Sequence, residues 1–226
     1  MSTPYYVAPE QIMKDRADYA RKGIARGRSL TAMASTDGIV ICAENPSSNL
    51  RKISEIYDRI AFGGVGKYNE FDQLRIAGVR HADMKGYSYS REDVDARTLA
   101  NAYAQMLGQT FTHEMKPMEV EILVAEVADD LAGDQLFHIL YDGSVSDEHR
   151  FSVLGGEAEA IGERLENAWS ADIDLAGAVK AASSALAGDR DLVAADFEVA
   201  LLERNTDERR RFRRLDDDEV ASILAG

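Results

Sequence analysis

The sequence predicts an α+β fold, a four-layer αββα sandwich in which two antiparallel sheets lie face to face and are covered by helices. Apolar runs typical of strands occur in three separate parts of the chain, within residues 30–65, 120–154 and 197–215. Helical patterns lie between these parts, two at a time, and one more ends the chain. This order of elements fits two packed antiparallel sheets with helices on their outer faces.

The first predicted element is a helix over residues 9–27. Pro9 suits a helix start because its missing N–H would have no partner there, and Glu10 suits the positive end of the helix dipole. Gly27 is predicted to end the helix in a left-handed conformation. One narrow face carries mostly small residues, which would let another backbone approach closely: Met13, Ala17, Ala20, Ile24 and Gly27. The rest of the helix is basic, typical of a solvated face and also able to attract a partner's carboxylates.

A hairpin follows the first helix. Residues 30–35 alternate, Asp37-Gly38 predicts the turn, and residues 39–43 are apolar without a break, which indicates a strand covered on both faces. Cys42, the single cysteine, lies in this strand, so we expect a buried thiol in a reducing compartment and no internal disulfide.

The remaining elements are predicted from the same signals. After a polar turn at residues 44–49, strand patterns fill residues 50–65, and Ser90 is a candidate cap for the longest helix. The predicted order is helices at 68–80 and 91–113, strands at 120–127, 135–141 and 150–154, helices at 157–170 and 175–187, strands at 197–202 and 210–215, and a helix at 216–224.

Length and charge restrict the class of protein. The 226 residues have a net charge of -14, which opposes a nucleic-acid surface, and carry neither a signal peptide nor an apolar run long enough to span a membrane. We therefore expect one domain at residues 9–226 behind a tail at residues 1–8, in the cytoplasm. The basic run at residues 209–214 is flanked by acidic residues, which favours a solvated or subunit-facing strand over an RNA-binding surface.

Two short segments are similar to known functional motifs, but each lacks a residue that the motif requires. Residues 63–67 look like a phosphate-binding loop, but Ala61 and Tyr68 stand where that loop needs Gly and Ser or Thr. His113 and the Glu after it suggest a zinc-protease helix, but Pro117 occupies the place of the second His. We predict no cofactor and no metal.

Several linked segments carry a family resemblance. Residues 18–27 (DYARKGIARG), the hairpin at Asp37-Gly38, and Lys52-Ile53 followed by residues 60–65 (IAFGGV) occur in the order and spacing of one family. The chain resembles the α subunits of the 20S proteasome, most closely the actinobacterial ones, from Tyr5 to Arg213. The resemblance implies the fold of the N-terminal-nucleophile (Ntn) hydrolases.

The resemblance also implies that the chain is not an enzyme by itself. Catalytic β subunits use a Thr at the start of the first strand, whose own amine acts as the base. The matching residue here is Arg28, and no Gly-Thr junction occurs that processing could expose. The alternative is a free-standing Ntn-type amide hydrolase with an unrecognised processing site.

Partners and site residues follow from the same resemblance. It implies heptameric α rings stacked on β rings (α7β7β7α7), with the small-residue face of the first helix as a candidate ring contact. Lys52 would receive the terminal carboxylate of an activator's tail, with Gly27 and Arg26 beside it; as an isolated residue, Lys52 would simply be solvated. The activator is an AAA+ ATPase or an ATP-independent one, and tagged substrates would arrive through the prokaryotic ubiquitin-like pathway.

The first eight residues contain no charged side chain. A terminal segment of this kind is either frayed or docked on another surface. In the α family such tails gather at the ring axis and obstruct the entry pore, which makes these residues candidates for a gate: Pro4, Tyr5, Tyr6 and Val7.

Overall fold

A computed structural model describes residues 8–47 and 49–226 as two sheets and six α-helices around three apolar clusters. The strands are β1 (Leu30–Ser35), β2 (Gly38–Glu44), β3 (Ile53–Tyr57), β4 (Ile60–Gly66), β5 (Val120–Glu126), β6 (Gln135–Ile139), β7 (Val145–Glu148), β8 (Phe151–Leu154), β9 (Phe197–Glu203) and β10 (Phe212–Leu215). The first sheet has the strand order β10-β9-β2-β1-β8 and the second has the order β3-β4-β5-β6-β7, with every neighbouring pair antiparallel.

The helices cover the outer faces of both sheets, except the first one, whose buried residues join the cluster between the sheets. They are α1 (Pro9–Ile24), α2 (Tyr68–Ser88), α3 (Ala96–His113), α4 (Ala158–Ala168), α5 (Leu175–Ala187) and α6 (Asp217–Ala225). Helices α2 and α3 pack on the second sheet, and α5 packs on the first sheet together with α4 and α6. The third cluster fills the space between the sheets. The predicted sandwich is confirmed.

Strand β2 shows how the layers arise from the sequence. Ile39 and Ile41 belong to the cluster between the sheets, whereas Val40 and Cys42 belong to the cluster under α4 and α5. Successive side chains of a strand point to opposite faces, so a run without polar residues needs apolar cover on both sides. The prediction of a strand buried on both faces is confirmed.

The turn and the end of α1 differ from the predictions. Thr36 and Asp37 form the turn, and Gly38 is already the first residue of β2, with φ of 140° and the Leu202 carbonyl where a Cβ would be. Helix α1 ends at Ile24, followed by Ala25 in right-handed conformation. Gly27 lies beyond the helix and does not have a positive φ, so it is not the predicted left-handed cap.

The small-residue face of α1 is occupied within the chain. Ala20 and Ile24 are buried in the cluster between the sheets, and Ala17 packs against it. These residues let α1 lie close to β4 and β5. The prediction that this face forms a contact between ring subunits is therefore wrong for its buried residues, Ala20 and Ile24.

Two further boundaries differ for physical reasons. Ser90 caps a short 3₁₀ turn, Arg91–Asp93, while α3 begins at Ala96 with Asp95 as its cap, because the Asp95 carboxylate accepts from Thr98 N at 2.7 Å. Strand β7 was not predicted because its residues are largely exposed and polar.

Candidate functional site

The candidate site lies at the end of the β1–β2 hairpin opposite its turn, where residues 25–29 connect α1 to β1. Gly27 is in this connection. A Cβ on Gly27 would lie 3.0 Å from Gly66 N and 3.1 Å from Ile24 O. Glycine is therefore suited to this position by the close approach of two backbones rather than by a left-handed conformation.

Two cavities open on Gly27. One, of about 270 Å³, is also lined by Arg28, Glu44 and Arg190. The other, of about 350 Å³, is also lined by Arg26. The structure thus brings Arg26 and Gly27 to one cavity and Gly27 and Arg28 to the other.

Lys52 lies directly before β3 and is partly buried. Its Nζ donates to Arg28 O at 2.6 Å, so the ammonium is held at the connection that contains Gly27. Burial lowers the pKa of Lys52 to about 8, although the charges of Glu44 and Glu198 oppose that shift. Among the described residues, Lys52 is joined through Arg28 to the cavity of about 270 Å³, and Lys52 itself lines neither cavity.

Glu44, the last residue of β2, pairs with two arginines. Its side chain is only 4% exposed, and it accepts from Arg28 and, through both oxygens, from Arg190 at 2.9 and 2.8 Å. Burial alone would raise the pKa of Glu44, but the Arg190 hydrogen bonds and the charges of both arginines hold it below its usual value. Glu44 therefore stays ionised at neutral pH.

Arg28 stands immediately before Ser29 and β1. The family resemblance matches this position to the nucleophile of the catalytic subunits. A guanidinium is cationic throughout the usual pH range and has no lone pair for attack on a carbonyl. Its pairing with Glu44 makes this point of the fold an ion-pair site.

A second buried carboxylate, Glu198 of β9, holds the segment next to Lys52. It accepts from Lys52 N at 2.9 Å, from Asn45 Nδ2 at 2.7 Å, and from Arg214. The sequence alone does not predict Glu44, Asn45, Arg190 or Glu198 as site residues. The only local signal was a carboxylate within or ending an apolar strand, because burying a charge is costly unless it is paired.

The basic run at residues 209–214 is largely paired within the chain. Arg210 pairs with Glu55, Arg213 with Glu219, and Arg214 with Glu198. Arg211 donates to the carbonyls of Arg204 and Thr206. These pairings remove the charge excess on which an RNA-binding surface would depend.

The remaining expectations have simple outcomes. Pro4, Tyr5, Tyr6 and Val7, and with them most of the tail, lie outside the described residues. Within residues 8–47 and 49–226 no group of His, Cys, Asp and Glu could hold a metal ion. In the same part of the chain, no helix is both long and apolar enough to cross a bilayer. Cys42 is buried, and burial raises its pKa to about 12.

Two facing five-stranded antiparallel sheets with helices outside define an Ntn-type sandwich, here with an arginine before β1. A family model described as "Proteasome subunit" matches residues 24–200. "Proteasome subunit alpha" of Acidimicrobium ferrooxidans is 63% identical, covering 99% of this chain and 97% of that protein. Those of Kineococcus radiotolerans and Arthrobacter sp. strain FB24 are 55% and 53% identical, each covering all of this chain and 99% of its relative. The chain belongs to the proteasome subunit family and is similar to its α subunits over its whole length.

Proposed function

We propose that this chain is a non-catalytic α-ring subunit of a proteasome core particle, where it contributes architecture, entry control and a docking site while β subunits cleave the substrate. The similarity to α subunits along the whole chain supports this role. The arginine at residue 28 supports the absence of a nucleophile, because the threonine mechanism needs a hydroxyl and a free amine on one residue. Ring closure requires a heterologous interface between neighbouring copies.

The docking role is assigned to Lys52, with Gly27 and Arg26 beside it. The observation that carries it is the Lys52 ammonium, held at Arg28 O next to a glycine that opens on two cavities. A compact ammonium with donors left after its bond to Arg28 suits the terminal carboxylate of an activator's tail. Gly27 leaves room for the tail's backbone.

Replacing Lys52 with Ala in the assembled α–β particle tests this role. We expect activator-stimulated peptide cleavage to be lost while unstimulated cleavage persists, because the β active sites are untouched. Lys180→Ala is the matched control, since Lys180 is an exposed lysine of α5 that lines neither cavity, and this variant should keep full stimulation. Full stimulation of the Lys52→Ala particle would overturn the docking role.

The gate is assigned to Pro4, Tyr5, Tyr6 and Val7. Their apolar side chains would contact one another where several copies converge on a ring axis. Deleting residues 1–7 is expected to speed the entry of peptides into the assembled particle. Unchanged peptide turnover by that particle would contradict the gate.

The same preparations distinguish the enzyme alternative. A free-standing hydrolase would have to begin at Ser or Thr after processing, so its intact mass would be lower than that of the full chain. We expect the full-length mass and no amide cleavage by the chain without β subunits.

A further inference from the structure

The segment before β3 is held in place by side chains from distant parts of the sequence. The Glu198 carboxylate accepts from both consecutive backbone amides of this segment, Lys52 N at 2.9 Å and Ile53 N at 3.3 Å. A carboxylate that accepts two neighbouring N–H groups fixes the backbone direction at that point. The direction in which the Lys52 side chain leaves the backbone therefore depends on Glu198.

Two more side chains complete this arrangement. Asn45 Nδ2 bridges Glu198 Oε2 and Leu50 O, each at 2.7 Å. Arg214 donates to Glu198 Oε1 and to Ile53 O. Residues 50–53 are thus held at both ends by groups that converge on one carboxylate.

This carboxylate is costly for a purely structural role. The Glu198 side chain is 2% exposed and lies in a strand whose other residues are almost all apolar. Replacing a buried ion pair by packed apolar groups is often neutral or stabilising, so stability alone does not account for a carboxylate at this position, whereas a geometric or electrostatic task does. The partly buried ammonium of Lys52 provides that task, because the charge of Glu198 offsets part of its desolvation.

We propose that Glu198 is the positioning residue for Lys52, fixing the backbone from which the ammonium meets the terminal carboxylate of a partner's peptide tail. The inference rests on the docking role proposed for Lys52. It adds a residue that the tail does not touch and that nonetheless sets the affinity for it. Asn45 and Arg214 support Glu198 in this role.

The test compares assembled α–β particles carrying Glu198→Gln with the unmodified particle. The probe is a fluorescent peptide with the C-terminal sequence of an activator that stimulates the unmodified particle, used with a free C-terminal carboxylate and with a C-terminal amide. We expect about tenfold weaker binding of the free-carboxylate peptide, equivalent to the loss of one charge-assisted hydrogen bond. Binding of the amide peptide should change little.

A second measurement separates positioning from general damage. The pKa of Lys52, followed by NMR of methyl-labelled lysine, should fall below its value in the unmodified particle, because the favourable charge of Glu198 has gone. Glu203→Gln on the same strand is the matched control, since its carboxylate forms no ion pair within the described residues. The control should leave both the affinity and the pKa unchanged.

The outcomes keep the two proposals apart. If Lys52→Ala leaves the preference for the free carboxylate intact, the docking role itself fails. If Lys52→Ala removes that preference but Glu198→Gln changes neither the affinity nor the pKa of Lys52, only the role of Glu198 is overturned. Should Glu198→Gln not assemble, Glu198→Asp decides, because it keeps the charge but withdraws it from the two amides. We then expect weakened binding, and unchanged affinity would overturn the role of Glu198.

Discussion

The two ends of the β1–β2 hairpin each carry a buried carboxylate paired with arginine, but in different surroundings. At the turn end, the side chains of Arg204 and Asp134 are 7% and 0% exposed. At the other end, Glu44 is equally buried, whereas its partners Arg28 and Arg190 are about half exposed, at 51% and 48%. The same type of ion pair is closed at one end of the hairpin and open at the other.

The closed pair has no donors left for a partner. Arg204 donates to both oxygens of Asp134 and to the carbonyls of Ser35, Thr36 and Ala128. These five hydrogen bonds use all five N–H donors of its guanidinium. The open end, by contrast, borders a cavity of about 270 Å³ and holds the Lys52 ammonium next to it. The comparison indicates that the charges at the turn end are used up within the fold, whereas those at the open end remain partly exposed to solvent.

The largest expected effect comes from breaking the closed pair. Arg204→Ala leaves the buried Asp134 carboxylate without its partner, and we expect a loss of about 3–5 kcal/mol in the free energy of unfolding. Urea unfolding of the separately purified chain measures it. Arg209→Ala, at an exposed arginine outside the ion pairs of the described residues, should change stability by less than about 0.5 kcal/mol. A similar small loss for Arg204→Ala would contradict the contrast between the two ends.

The sequence predicts those features of the fold that depend on residues close together in the chain, and it fails where contacts between distant residues decide. The strand pattern of β2 and the bounds of α5 depend on neighbouring residues, and both were predicted. The predicted start of α3 was wrong because Ser90 and Asp95 are both suitable caps, and only tertiary packing decides between them.

The site divides in the same way. Lys52 and Gly27 were selected through a family resemblance, and the reason for Gly27 differed from the one predicted, because Gly66 approaches it from another strand. Glu198 reaches Asn45 across 153 positions of sequence, and Arg190 reaches Glu44 across 146. No local pattern contains such pairs, and without the fold each of these residues is only a charge or an amide.

An effect of intermediate size is expected from pH at the open end. Because the pKa of Lys52 is lowered to about 8, the ammonium loses its proton as pH rises through 8, and the affinity for a free-carboxylate peptide should fall over that range. The stability changes in the opposite direction: burying the charged form costs free energy below pH 8, and that cost is relieved as pH rises toward the ordinary value of 10.5.

Titrating peptide binding to the assembled particle between pH 7 and 9 measures this dependence (about one pH unit on either side of the lowered pKa). The Lys52→Ala particle should bind weakly throughout, without a transition near pH 8. A transition that persisted in Lys52→Ala would assign the titration to another group.

The smallest expected effect comes from breaking half of the open pair. Arg190→Ala leaves Glu44 with Arg28, so the loss in the free energy of unfolding at pH 7 should be about 1 kcal/mol or less, as for other solvent-accessible ion pairs. Lys180→Ala, at an exposed residue of α5, is the control and should have no effect.

The pH dependence of this loss distinguishes the ion pair from packing. The lowered pKa of Glu44 contributes stability above its ordinary value of 4.5, and this contribution is lost as pH falls through the lower, folded-state pKa. Because Arg190→Ala raises that folded-state pKa, the difference between variant and unmodified chain should shrink under acid. A difference that stayed constant from pH 7 down through the lowered folded-state pKa of Glu44 would show that Arg190 acts through its packing, and that the open end is less electrostatic than its geometry indicates.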